Sequence, residues 1–260
     1  MHRYTWKKGA VPQLVIDLSQ RDITLDSRIE ADGAKAVKGF RRPKSWASDQ
    51  MVCFYMEFSQ EPQEIQVIQS DKGAKALVTF RQTSRNQVTV RCGISSVSEE
   101  SAKENMNADA SWLSKSPFAF DALKKASSRD WNGYLSKIEV EGGEREMRNF
   151  YTALYHTAIA PCLYSDSDGR YRGMDGKIHT ADGFDRYTVF SLWDTFRSLH
   201  PLFDIIERHR TVDFIRTFLS IWDECGKLPV WELSGNETGC TIGYNSAPVI
   251  ADAVAKGITG

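Results

Sequence analysis

The sequence predicts a multidomain α+β chain in which a β-sandwich segment is followed by a helical linker and then by an array of helices. Three observations carry this prediction. Up to about residue 98 apolar residues alternate with period two in short runs; the period then becomes that of amphipathic helices; beyond about residue 144 the helices are separated by long loops rich in Gly and Asp. The boundaries read from these changes are 1–98, 99–143 and 144–260. With 260 residues, 41% apolar and 26% charged, the chain can bury a sizeable core, so disorder is not expected. A net charge of −1 gives no electrostatic reason to expect nucleic acid or an anionic membrane as partner, and no basic stripe interleaves with aromatics. No apolar run is long enough to span a bilayer, and the N-terminal MHRYTWKKGA lacks the apolar core of a signal peptide.

Six runs carry the strand signal: Leu14–Leu18, Ile23–Ile29, Met51–Phe58, Glu64–Gln69, Lys75–Phe80 and Gln87–Ser95. Turn residues separate them, and successive short strands without intervening helices point to antiparallel sheets packed face to face. Met51–Phe58 is apolar on both faces and is expected to be central, whereas RYTW near the start reads as a strand cut off from its partners. Asp17, Arg21 and Asp22 read as turn residues.

Helical signals begin at Ser98–Asp109, a polar helix, and continue through FAFDALKKASS and SRDWNGYLSKIEV, where Trp131, Leu135 and Ile138 share a face. Trp112 and Trp131 are expected to anchor this linker to a neighbouring domain. EMRNFYTALYHTAIAP follows with Met147, Phe150, Tyr151, Leu154, Tyr155 and Ala158 at helical spacing, closed by Pro161. The loop CLYSDSDGRYRGMDGKIHTADGFD does not reproduce an EF-hand, which needs a glutamate at the loop's twelfth position, and reads as an ordered site-forming loop. Helices are expected at TVFSLWDTFRSLH, PLFDIIER, RTVDFIRTFLSIWDECG and NSAPVIADAVAKG, with Gly226 and Gly257 as C-terminal caps.

The chemistry concentrates in LPVWELSGNETGCTIGY, Leu228–Tyr244. Pro229 ends what precedes, Gly235, Gly239 and Gly243 are expected to forbid a settled helix or strand, and Glu232 and Glu237 lie in this loop among Trp231, Asn236 and Thr238. Carboxylates beside an indole suit sugar chemistry: a proton donor for a glycosidic oxygen, acceptors for hydroxyls and an apolar plate for a sugar's C–H face. A surface loop with solvated glutamates is the alternative. Trp193 and Asp194 open a helix where, taken alone, they read as a core residue and a dipole partner. The five cysteines (Cys53, Cys92, Cys162, Cys225, Cys240) form no CxxC pair and read as buried thiols; Cys240 has no histidine near it in sequence. The five histidines show no HExxH or HxH spacing, so a His-based zinc site is unsupported.

In order and spacing, FYTALYHTAIAP, SDSDGRYRG, YTVFSLWDTFRSLHPL, GKLPVWELSGNETGCTIGY and VIADAVAKGI resemble successive motifs of glycoside hydrolase family 92, the calcium-dependent exo-acting α-mannosidases of bacteria. HRYTWKKG, LVIDL and VTVRCGIS resemble end portions of that family's N-terminal β-sandwich, so the resemblance covers nearly the whole chain. It implies a partial sandwich over 1–98, a linker over 99–143 and the N-terminal part of an (α/α)6 toroid over 144–260, as in an internal fragment of a larger enzyme. An incomplete toroid would leave the apolar faces of its helices, Phe196, Leu199, Ile215 and Phe218 among them, short of partners.

The implied activity is inverting hydrolysis of terminal mannose from glycans, with α-1,2 linkage favoured, outside the cytoplasm of a bacterium. Glu237, which follows the Ser234-Gly235 turn, is implied as the general acid, with Glu232 as runner-up. Trp193, Asp194, Trp231 and Asn236 are implied to bind substrate. The base is implied in a Gly-Asp-rich motif downstream of Gly260, and calcium is implied without an assignment of its ligands. Other toroidal glycosidases, such as a glucosidase, and a catalytically incomplete carbohydrate-binding or structural piece are the competing readings.

Overall fold

A computed structural model describes residues 1–113 and 115–259. The chain divides into two compact units, Met1–Leu123 with Asp166–Asp168, and Lys124–Ser165 with Gly169–Gly260.

The first unit is an antiparallel β-sandwich. Its strands are β1 (His2–Thr5), β2 (Gln13–Asp17), β3 (Ile23–Ala31), β4 (Ala36–Lys44), β5 (Val52–Phe58), β6 (Pro62–Ile68), β7 (Lys75–Phe80) and β8 (Gln87–Ser95). One sheet runs β1-β8-β5-β4-β3 and the other β2-β7-β6. Alternate residues of both sheets point inward: Ala76, Val78 and Phe80 of β7 meet Val37, Phe54, Phe58, Val88 and Val90, with Phe58 and Phe80 edge to face at 5.4 Å. The expected central strand, β5, is apolar on both faces because Phe54 and Phe58 join this core while Tyr55 packs outward on Ala36, Ala102 and Met106. Those last two belong to α1 (Glu99–Ala108), capped by Ser98, whose hydroxyl accepts the Ser101 N–H at 3.0 Å. Gly93 permits that approach, since a Cβ there would sit 2.0 Å from the Ala102 carbonyl oxygen.

Several expectations change here. β1 is not cut off; it pairs with β8 from His2↔Val90 to Thr5↔Gln87. β4, unread in the sequence, lies between β3 and β5. Its pattern was masked by Lys38, which pairs with Glu30, Glu99 and Glu100, and by Arg42, which pairs with Asp49. Trp112, in a 3₁₀ turn at Ser111–Leu113, is 55% exposed. Cys53 is buried and Cys92 half-buried, but Cys162, Cys225 and Cys240 are exposed rather than packed.

The second unit takes α2 (Phe120–Leu135) from Lys124 onward, then α3 (Glu144–Thr157), and joins them through Trp131 against Tyr155 at 4.6 Å and the Tyr134 and Thr157 hydroxyls at 2.8 Å. α2 ends before Ile138, which therefore does not extend its apolar face. The Asp- and Gly-rich loop is ordered as β9 (Cys162–Leu163), the hairpin of β10 (Arg170–Arg172) and β11 (Ile178–Thr180), and β12 (Tyr187–Thr188), which pairs with β9. Next come β13 (Phe190–Ser191), α4 (Leu192–Thr195), α5 (Leu199–Ile206), α6 (Arg208–Cys225), β14 (Trp231–Glu232) and α7 (Ser246–Ala255). Gly226 ends α6 in the left-handed region at φ 74°, as its sequence position predicts.

Thr188–His200 is not one helix. Val189 at φ 71° breaks it, Phe190 and Ser191 pair with β14, and only single-turn α4 and the start of α5 remain helical. The core joins Tyr187, Phe190, Leu192, Phe203, Phe214, Phe218 and Val249. Of the residues expected to be short of partners, Phe218 is instead fully buried, whereas Phe196 and Leu199 pack only partly against this core and Ile215 is half-buried. Trp193, Ile205, Leu219, Trp222 and Val254 are exposed large apolar residues of these helices. Among the described residues no helix is long and apolar enough to cross a membrane.

Candidate active site

A two-residue ladder assembles the site. β13 pairs antiparallel with β14 as Phe190↔Glu232 and Ser191↔Trp231, so the SLWD stretch and the WELSGNET stretch lie side by side. Beyond β14 the chain folds back as a tight hairpin. Leu233 and Asn236 exchange backbone hydrogen bonds of 2.8 and 3.1 Å, and Thr238 N–H donates to the Trp231 carbonyl at 3.1 Å. Ser234 and Gly235, at φ 50° and 73°, are the two central residues of the turn, and positive φ at both is what a type I′ turn requires. Gly235 is needed for space as well, because a Cβ there would lie 2.9 Å from the Arg172 carbonyl oxygen.

The hairpin sets Glu232 opposite Glu237, yet the two carboxylates have different surroundings. Glu232 is 0% exposed. Thr188 Oγ donates to both its oxygens at 3.0 Å, Val189 N–H at 3.2 Å and Gly235 N–H at 2.8 Å. Thr188 Oγ in turn accepts Ser234 N–H at 2.6 Å. Burial pushes the Glu232 carboxyl above its ordinary value, against the Arg186 charge and these donors, which pull it down. Glu237 is exposed and accepts N–H groups from Val230 at 3.0 Å, Trp231 at 3.0 and 3.2 Å, and Gly239 at 3.2 Å.

The other sequence-predicted residues gather on the same ladder. Ser191 Oγ donates to Asp194 at 2.6 Å, and both Trp193 and Asp194 are exposed. Arg197 lies 5.6 Å from the centre of the Trp193 ring. Trp231 is half-buried opposite Ser191, and Asn236 donates its side-chain N–H to the Ser234 carbonyl at 3.0 Å. Trp193 is therefore not the core residue it would be in isolation, while Asp194 does lie in the first turn of α4.

A second buried constellation went unread in the sequence. Arg186, fully buried, donates to Glu224 at 3.4 Å and to the Thr217 carbonyl at 3.2 Å, and its guanidinium lies 4.9 Å from the Tyr171 ring centre. Glu224 also accepts the Tyr171 hydroxyl and Met174 N–H, each at 2.8 Å. Burial, aided by this carboxylate, pushes the Tyr171 hydroxyl up to about 12. No local signal marks Arg186, Thr188 or Glu224, since their roles depend on partners about 30 to 45 residues away. As for the implied calcium, among the described residues no three Asp, Glu, His or Cys side chains converge as a metal cage needs, so this chain's donor set does not fit the ion by itself.

The sequence matches the glycosyl hydrolase family 92 N-terminal domain over residues 1–95 and the catalytic domain of the same family over residues 101–260. Among solved structures, a family GH92 α-mannosidase of Bacteroides thetaiotaomicron superposes with a TM-score of 0.91 at 30% identity, over 99% of this chain and 37% of that one. The same enzyme in complex with mannoimidazole gives 0.91 at 30% identity, over 99% and 36%. A family GH92 inverting mannosidase of Bacteroides thetaiotaomicron VPI-5482 gives 0.86 at 27% identity, over 99% and 36%. The chain thus spans a little over a third of these proteins. Comparison with curated protein sequences gives no match.

Proposed function

The chain belongs to glycosyl hydrolase family 92, and from that premise we propose that it forms part of an inverting exo-α-mannosidase that removes terminal, α-1,2-linked mannose from glycans outside the cytoplasm. One observation supports the reading: the β13 and β14 ladder, the rim of the site, sets Ser191, which holds Asp194, opposite Trp231, whose N–H holds Glu237. Residues 1–98 are the partial sandwich, 99–143 the linker and 144–260 the first part of an (α/α)6 ring in this reading.

Glu237 is the general acid in this reading, because it alone of the two glutamates is exposed and so can be reached by a leaving oxygen; three backbone N–H groups set the orientation of its carboxyl. Trp193 and Trp231 supply the apolar wall, and Asp194 and Asn236 accept or donate to sugar hydroxyls. Inversion needs a second carboxylate roughly 6.5–9.5 Å from the acid to activate water, and that base is assigned to no residue of this chain. Among the described residues calcium has no cage, and the roles assigned to these side chains do not depend on it.

Released-sugar analysis on the full-length protein, with and without a chelator, tests the proposal. Mannose release supports it and glucose release overturns it; chelation that leaves mannose release intact removes calcium alone. On aryl mannosides of graded leaving-group quality, Glu237→Gln should lose most rate where the leaving group is poor. Uniform loss would take the acid role from Glu237. The 260-residue chain alone should turn over no aryl mannoside, and turnover would bring the base within it.

A further inference from the structure

We propose that Glu232 is a positioning residue: with Thr188 it holds Val189 in a left-handed backbone conformation and so fixes the strand pair that carries Asp194, Trp231 and Glu237. Only the kinetic arm of the test below rests on the mannosidase reading.

Glu232 has no exposed surface, so it cannot meet a substrate arriving from solvent. Its contacts are donors: Thr188 Oγ, Val189 N–H and Gly235 N–H, arranged so that each carboxyl oxygen receives one backbone N–H. Val189 is the feature that requires explanation. A β-branched residue at φ 71° is strained, and strain of this kind persists only where the surroundings over-determine it. Here Glu232 accepts the Val189 N–H, Thr188 on its N-terminal side binds both the carboxylate and Ser234 N–H, and Phe190 on its other side is already in the ladder. The turn cannot relax outward, since Gly235 is packed on the backbone of Arg172 and Gly173.

The consequence reaches the rim through two short chains of bonds. Val189 leads to Ser191, whose hydroxyl orients Asp194. Ser191 also lies opposite Trp231, whose N–H holds Glu237. Loss of the clamp would free Val189 to adopt an ordinary φ, and the ladder that registers the two motifs would lose its anchor.

The chemistry of substitution makes this testable. Glu232→Gln puts an NH2 group where an N–H donor already points, whereas Val189→Gly removes the strain that the clamp restrains. In the full-length protein, Glu232→Gln and Thr188→Val should speed amide exchange at Trp231 and Gly239 by about tenfold or more, while Thr188→Ser, which keeps the hydroxyl, stays near wild type. Adding Val189→Gly to Glu232→Gln should restore much of the protection, a coupling that independent sites would not show. On aryl mannosides the Glu232→Gln loss should be in kcat, equal across leaving groups, with the pH profile unmoved and partial rescue by Val189→Gly. Unchanged exchange, absent rescue, or a leaving-group-dependent loss overturns the proposal. If Glu232→Gln does not fold, Thr188→Ser against Thr188→Val decides by the same exchange readout. If the wild type turns over no mannoside, the mannosidase reading fails and the exchange arm still judges the clamp.

Discussion

The interiors of the two units solve different problems. In the sandwich the centre is apolar: Val37, Phe58, Val78 and Phe80 are essentially unexposed, and Ser27, buried beside them, accepts the Ala74 N–H at 2.8 Å. Side-chain atoms left without a hydrogen-bond partner there lie on Arg3, Arg41 and Asn86, outside the apolar cluster. The helical unit instead encloses Arg186, Glu224, Glu232 and His200. His200 sits inside the aromatic core, 6.3 Å from Phe190 and 5.8 Å from Phe214 between ring centres, with both ring nitrogens unpartnered among the described residues. Buried charge adds little to stability but demands specific geometry, so the contrast separates a unit whose core favours stability from one whose interior holds loops in place.

The sharpest way to break this contrast is Arg186→Met. It leaves Glu224 and Glu232 buried without their cation and should destabilise the helical unit by about 3–5 kcal/mol, read by urea unfolding, with the sandwich transition unmoved. A change under about 1 kcal/mol would mean that the buried pair is not an organising feature.

Acid should separate the units next. Burial lowers the His200 pKa from 6.5 to about 4, so the folded state binds fewer protons than the unfolded state between these values. Proton uptake by His200 in the unfolded chain therefore leaves stability untouched above pH 6.5 and lowers it as pH falls from 6.5 to about 4, by about 3 kcal/mol in all at about 1.4 kcal/mol per pH unit. Thermal unfolding followed from neutral to acid pH should show this slope in wild type and not in His200→Phe. A slope that survives the substitution would assign it to other groups.

At neutral pH the same His200→Phe variant should gain roughly 1–2 kcal/mol, since it replaces an unpartnered imidazole among aromatic rings with an apolar ring. A loss of stability would mean that the pocket is too tight for phenylalanine. The smallest effect belongs to the sandwich surface: Lys75→Ala removes a half-exposed pair with Asp17 at 3.0 Å and should cost less than about 1 kcal/mol in the same melts. A larger cost would show that the sandwich, too, depends on charge geometry.

The sandwich was legible because burial on one face of a pleated strand imprints period two directly on β2, β3 and β7, because burial on both faces makes β5 a continuous apolar run, and because local chemistry marks the Ser98 cap and the Gly226 stop. β4 escaped because long Lys and Arg side chains cover apolar surface while their charges pair with Glu30 across the sheet and with Asp49 in the loop that follows. Within the site, sequence by itself determined the types of residue, their order and the Ser234-Gly235 turn, since a type I′ turn depends on the residues inside it. Only tertiary structure decided that Glu232 is buried and Glu237 exposed. Two glutamates five residues apart carry the same intrinsic chemistry, and what separates them is Thr188, 44 residues upstream of Glu232, brought under the hairpin by the pairing of β13 with β14.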